Sequence, residues 1–215
     1  MAVTGTLTNR DICTSAMRKI GVSGQGETLD AATVEDARAG LERMLKAWQN
    51  RGHNLWNTAA QSVALTTAAV YTLDPVRPLA INNMRLKRSG IETPMHRMTR
   101  EEYDTLPRKD STGIPTTFYY DRQREAARLY VWPVLAAANG ETLEITYTKE
   151  QSDIDLNDVA DVPGEWWDAV VYGLAARMMD DYEINMPNVM ARAEEELRIA
   201  QQFDREGSVF FIERY

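Results

Sequence analysis

LERMLKAWQNRGHNLWNT, residues 41–58, is where this 215-residue chain changes character. Leu41, Met44, Leu45 and Trp48 recur at helical spacing, with Glu42 and Lys46 on the opposite face. Gly52 stands where a glycine ends a helix, just past the C-cap. Beyond Trp56 the helical period fades and alternation takes over. Two of the chain's 5 tryptophans flank this exit, with no catalytic group beside them. Trp48 therefore reads as closing a helical core, and Trp56 as sealing the seam between the helices and the strand-forming region after them.

Toward the N-terminus, TNRD offers Thr8 as an N-cap with Asp11 three residues later, a capping box with Asp in place of Glu. Ile12, Ala16, Met17 and Ile20 come next at helical spacing, and Gly21 stops the run. GVSGQGE, residues 21–27, reads as a flexible loop: it comes after a helix rather than a strand, so it does not fit a phosphate cradle. Asp30 caps the second helix, whose inner face starts at Val34 and Ala37 and whose outer face carries Glu35 and Arg38.

From about Gln61 to Lys149 the residues are strand formers. Val63–Leu65, Val70–Leu73, Ala80–Lys87, Thr116–Asp121, Ala127–Pro133 and Glu141–Lys149 read as about six strands, the last with Leu143, Ile145 and Tyr147 facing one way. Prolines 75, 78, 94, 115 and 133 fall at the edges of these runs, where a sheet tolerates them. TREEYDTL predicts a short helix capped by Thr99 with Glu102 completing the box. After the acidic segment DIDLNDVAD, Pro163 opens a helix whose wide apolar band (Trp166, Trp167, Val170, Val171, Leu174, Met178 and Tyr182) predicts a central position. Asn185 and Pro187 open a last helix with the stripe Met190, Ala193, Leu197, Ala200 and Phe203, and Gly207 ends it.

These elements predict an α+β fold: a four-helix bundle built from both chain ends, an inserted antiparallel β-sandwich or meander, and a C-terminal tail. The boundaries are 8–57 and 159–207 for the two halves of the bundle, 58–158 for the β domain and 208–215 for the tail. Trp48, Trp56 and Trp166 are the candidate residues of the interdomain seam. The tail ends in Val209, Phe210, Phe211, Ile212 and Tyr215, an apolar stretch where termini are normally polar, so it either folds back as a strand or docks on a partner.

Composition narrows the function. The net charge of -8 argues against a general nucleic-acid binder, which needs a dense basic footprint. MRLKRSG, Met84–Gly90, is the best local basic strip; it reads either as the wet face of a strand or, through Arg85, Lys87 and Arg88, as a nucleic-acid contact. The single cysteine, Cys13, reads as a small buried hydrophobe and leaves no intramolecular disulfide or cysteine-based zinc site. No signal peptide and no apolar run of roughly 20 residues appear, so the expectation is a soluble protein without membrane association, made in the cytoplasm. His53 and His96 lack partners at metal-ligand spacing. DIDLND begins like a calcium loop, but Asp158 stands at the sixth position and Gly164 at the twelfth, so the segment reads as an acidic linker. No catalytic or cofactor site is expected. The competing enzyme reading is a glycan hydrolase or glycan-binding module, with Tyr119, Tyr120 and Trp132 stacking on sugars.

Several motifs together resemble a known family. They are L-x-x-M-L-x-x-W-x-x-x-G (Leu41–Gly52) followed by Leu55-Trp56, V-Y-x-L (Val70–Leu73) and G-I-P-T-x-F-Y-Y (Gly113–Tyr120), then L-Y-V-W-P (Leu129–Pro133), L-x-I-x-Y (Leu143–Tyr147) and D-V-P-x-E-W (Asp161–Trp166). In this order they resemble the head-to-tail adaptors of tailed bacteriophages, also called tail tubular protein A or head-completion proteins. The resemblance implies a structural virion protein, with no enzymatic activity and no cofactor. It implies a homo-oligomeric ring, usually of twelve copies, beneath the portal ring, extending the DNA channel and offering a platform to the tail or nozzle protein. It also implies that the C-terminal segment reaches the portal, which makes Val209, Phe210, Phe211, Ile212 and Tyr215 the candidate portal-binding residues.

Overall fold

The computed structural model describes residues 7–24, 26–52, 57–75 and 77–203. The chain divides into two compact units, one of residues 1–54 with 151–215, the other of residues 55–150. The acidic segment after Gln151 thus groups with the helices.

In the helical unit, α1 is Asn9–Lys19, α2 Ala31–Asn50, α4 Trp167–Asp181 and α5 Pro187–Phe203. The predicted caps are present. Thr8 Oγ1 accepts from the Asp11 amide while the Asp11 carboxylate accepts from the Thr8 amide, and Asp30 accepts from the Thr33 amide. At the other end of α1, Gly21 at φ +77 lets its own N–H reach Arg18 O and that of Val22 reach Met17 O, satisfying carbonyls the helix leaves open. These acids stay ionised more readily than usual: hydrogen bonds from Thr8 and from Thr33 lower the pKa of Asp11 and Asp30.

The four-helix bundle is not what forms. α4 is the hub: α1, α2 and α5 all pack on it, and α5 packs chiefly on α4 and on the 3-10 turn Gly164–Trp166 that leads into α4. The physical reason lies in the apolar surfaces. Ala169, Val170, Val171, Leu174, Ala175, Met178 and Met179 bury α4 on several sides, so it takes three neighbours. Among the described side chains of α5, Val189, Ala193 and Ala200 are buried while Met190 and Ile199 are exposed, so it lies at the margin rather than closing a four-helix core. Of the expected stripe Ala193 and Ala200 are buried and Leu197 is half-buried, while Val189 is buried in place of the exposed Met190. Pro187 is the first helical residue as predicted, but Met186, not Asn185, supplies the carbonyl accepting from Val189 and Met190.

The α2–α4 contact leaves little room for a Cβ at two glycines. A Cβ on Gly173 would lie 2.9 Å from Trp48 Cζ2, and one on Gly40 would lie 2.7 Å from Met178 Sδ. Trp48 and Trp166 meet in the same core, ring centroids 5.8 Å apart and tilted by 55°. Trp166 is fully buried and Trp48 nearly so.

The second unit contains β1 (Thr58–Ala64), β2 (Val70–Tyr71), β3 (Ala80–Arg88), β4 (Ile91–Pro94), β5 (His96–Met98), α3 (Arg100–Asp104), β6 (Thr117–Asp121), β7 (Arg128–Trp132) and β8 (Thr142–Thr148). They form two four-stranded sheets, ordered β1-β8-β3-β4 and β2-β7-β6-β5. One core joins them: Ile81, Met84 and Leu86 of β3 and Leu143, Ile145 and Tyr147 of β8 meet Phe118 and Tyr120 of β6 and Leu129 and Val131 of β7. β8 is paired on both edges, and its predicted alternation holds along its length. α3 carries the predicted capping box of Thr99 and Glu102.

Two expectations fail here. The sandwich is not purely antiparallel, because β5 and β6 run parallel. There are also eight described strands rather than about six, β4 and β5 being the additions. Both lie at sheet edges with almost every side chain exposed, so neither shows the hydrophobic alternation that marks a half-buried strand.

Candidate interaction surfaces

Residues 153–160 are bound onto the start of α1. A helix leaves its first amides without intrahelical partners. Here Asn9 N–H donates to Asp158 O and Arg10 N–H to Leu156 O, each at 3.0 Å. The Asn9 side chain, itself buried, donates to Asp155 O at 2.7 Å. Ala160 N–H reaches Leu7 O at 2.9 Å. The segment is thus a tertiary cap rather than a free linker.

Charges on α2 fasten the same segment. Arg38 joins Glu35 at 2.6 Å and Glu42 at 3.0 Å, and donates to Ile154 O. Lys46 joins Glu42 at 2.7 Å and Asp153 at 2.9 Å. The Lys46 hydrogen bond is the main cause of a lowered Asp153 pKa, and Glu42 and Asp153 in turn raise that of Lys46. The outer face of α2, read from sequence as solvated, is therefore used inside the unit. In the DIDLND segment, the Asp153 carboxylate faces Lys46, and Asp155 Oδ1 accepts from Asn157 N–H.

Acid should loosen this arrangement. Asp11, Asp30 and Asp153 have folded-state pKa values below their ordinary 3.8. The stability they confer is complete above that value and is lost as pH falls through it toward the lower folded values. Thermal melts from about pH 6 to pH 3 should show a falling Tm that steepens below about pH 4. A Tm unchanged across that range would refute the assignment.

On the β unit, the outward face of β6 and β7 is aromatic. Tyr119 and Tyr130 are directly opposed, ring centroids 5.6 Å apart, and Tyr103 of α3 sits against both at 5.3 and 5.0 Å. Lys109 Nζ lies 5.2 Å from the Tyr103 centroid. Burial is the leading cause of raised pKa values at Tyr103 and Tyr119. Trp132 on β7 is half-buried and donates Nε1–H to Arg108 O at 3.0 Å. Tyr120 points the other way, into the sandwich core, and its hydroxyl donates to Pro78 O. Burial pushes its pKa up to about 12. The three aromatics proposed for sugar stacking thus do not share a face, and Tyr119 is already stacked on its own neighbours.

The other residues picked out from sequence are also placed. Cys13 is fully buried, with its thiol pKa pushed up to about 12 by burial, so it packs and does not react. His96 is exposed on β5. The basic strip is interleaved with acids: Arg85 lies 3.0 Å from Glu92, and Arg88 lies 3.4 Å from Glu141, a buried carboxylate that also accepts from the Asn139 amide. Trp48 and Trp166 lie together within the helical core. Trp56 and His53, and the tail residues Val209, Phe210, Phe211, Ile212 and Tyr215, lie outside the described residues. Among the described residues no three His, Cys, Asp or Glu side chains converge as a metal site would require, and no helix is long and apolar enough to cross a membrane.

A profile for a family described as SU10 adaptor protein matches residues 8–209, through both units and nearly the whole chain. The chain belongs to the SU10 adaptor protein family. This agrees with the motif-based resemblance to head-to-tail adaptors and makes the chain a phage structural adaptor. No curated protein matches the sequence. What sequence reasoning missed was the strap. Asn9 beside a capping threonine, and Arg38 and Lys46 two turns apart on α2, are its legible traces.

Proposed function

We propose that this protein is a head-to-tail connector: a ring of about twelve copies beneath the portal of the filled capsid, prolonging the DNA channel and carrying the tail or nozzle protein. The observation that carries this reading is the family match across residues 8–209, which takes in both units. The copy number and the portal partner come from the resemblance to head-to-tail adaptors.

The chemistry of the chain supports a structural role. A hydrolytic general acid needs a carboxyl whose pKa is raised toward neutrality. The carboxyls with shifted pKa values among the described residues, including Glu35, Glu141 and Glu144, are all shifted down by hydrogen-bond donors or cations. A net charge of -8 suits a conduit that repels the phosphate backbone of passing DNA and lets it slide.

The test is to mix the purified protein with the portal ring of the same virus and view the product by electron microscopy. A second ring stacked on the portal, with one copy per portal subunit, is the expected result. Folded protein that leaves the portal bare would defeat the proposal, and cell-wall cleavage would then be measured.

A further inference from the structure

The β unit has four sheet edges among the described residues: β1 and β4 in one sheet, β2 and β5 in the other. β2 is 2 residues long and β5 is 3. β4 carries Glu92 and ends on Pro94. Shortness, charge and proline keep an edge from recruiting a stray strand. β1 has none of these. Its 7 residues, TAAQSVA, include no charge and no proline, and its pairing with β8 runs without a bulge.

The hydrogen bonds at its two ends fix which way its backbone faces. Lys149 N–H donates to Asn57 O at 2.7 Å and Leu65 N–H to Glu141 O at 2.9 Å. Both bonds lie on the register that pairs Ala59 with Tyr147 and Val63 with Leu143. Antiparallel pairs alternate between residues that exchange hydrogen bonds and residues that point them away. Ala59, Gln61 and Val63 therefore bond to β8, and Ala60, Ser62 and Ala64 turn their N–H and C=O groups to the open edge. The side chains at these three positions are small and exposed. On the core side, Ala59 and Val63 are only partly buried against the sandwich core, so apolar surface remains uncovered at this margin.

We propose that residues Val209–Ile212 of a neighbouring copy add to this edge as a fifth strand. Val-Phe-Phe-Ile is β-branched and aromatic and is uncharged like the edge it would meet. As a strand it presents Val209 and Phe211 on one face and Phe210 and Ile212 on the other. One of these pairs lies beside Ala59 and Val63 and covers the open margin of the core. Tail of one copy to edge of the next is a heterologous contact, the kind that closes into a ring. The inference rests on the ring reading above, and it sends the tail to a neighbouring copy instead of to the portal.

Hydrogen exchange on the full-length protein tests it, alone and assembled on the portal ring. Amides of Ala60, Ser62 and Ala64 should exchange freely in the unassembled chain and slow by about tenfold or more in the assembly. Ser62→Pro removes an outward N–H that the β1–β8 ladder does not use, so the unit should fold while the added strand is blocked. Ser62→Lys, a milder change at the same place, and Phe211→Asp on the arriving strand should likewise reduce ring assembly and abolish the protection. A wild-type ring with fast exchange at all three amides would overturn the inference and leave the connector role standing. So would Ser62→Pro rings forming as readily as wild type. If wild-type protein forms no ring on the portal, both readings fall.

Discussion

Trp166→Ala should cost the helical unit about 3–5 kcal/mol, the range for emptying a fully buried aromatic site. Trp166 has no solvent exposure and sits in the 3-10 turn just before α4, where α5 also packs. Its ring lies 5.8 Å from that of Trp48, and a tilted aromatic pair adds about 0.5–1.5 kcal/mol beyond the area it buries. The cavity would lie beside Trp48 of α2 and between α4 and α5, and α2 and α5 are each held on α4, which limits their inward collapse. Trp167, half-buried with its indole N–H on Val162 O, gives the comparison: Trp167→Ala should cost distinctly less. Urea unfolding followed by the helical circular-dichroism signal measures both. Equal losses at the two positions, or a loss below about 1 kcal/mol for Trp166→Ala, would remove Trp166 from the centre of this core. The Trp48→Ala, Trp166→Ala double variant should lose less than the sum of the singles, because the two rings share one contact.

What the sequence made legible was mostly local. The capping boxes at Thr8 and Thr99, the cap at Asp30 and the glycine exits at Gly21 and Gly52 each depend on side chains within a few residues, and each is present. The alternation of β8 was readable because both its edges are paired and one face is fully buried. The helical arrangement was less readable. Four amphipathic stripes suggest a symmetric bundle, but the number of neighbours a helix takes depends on the breadth of its band and the size of its residues. Small residues at Ala193 and Ala200, with Met190 left outside, place α5 at the periphery. The parallel partner of β6 was invisible because β5 carries His96 and Arg97 facing water and pairs across an intervening helix.

The interaction surfaces divide in the same way. The strap over α1 is held largely by backbone carbonyls of Asp155, Leu156 and Asp158, which any sequence supplies, so no side-chain pattern announces it. The open edge of β1 is likewise a property of topology. TAAQSVA looks like any short polar strand until its neighbours in the sheet are known. The tail is the opposite case: Val209–Ile212 stands out in sequence and lies outside the described residues.

Gly173 is a position where helix propensity alone gives the wrong sign. A glycine inside a helix costs about 1 kcal/mol relative to alanine, which argues for Gly173→Ala as a stabilising change. A Cβ there would meet Trp48 Cζ2 at 2.9 Å, Cη2 at 3.1 Å and Met44 Sδ at 3.2 Å. The indole is rigid and is held by Trp166, so it cannot swing aside without opening that pair. Overpacking of this kind costs about 1–3 kcal/mol and occasionally more. Gly173→Ala should therefore be destabilising by about 1 kcal/mol net, and Gly173→Leu by about 3 kcal/mol or more, with α2 pushed off α4. Gly40 is the internal control. Its nearest contact is Met178 Sδ, part of a flexible side chain that can change rotamer, with Leu174 Cδ1 at 3.3 Å. Gly40→Ala should thus stay within about 1 kcal/mol of wild type, propensity offsetting the crowding. Chemical unfolding of the three variants decides the matter. A stabilised Gly173→Ala would mean that Trp48 is free to move, and that the close approach of α2 to α4 is not what holds the helical unit together.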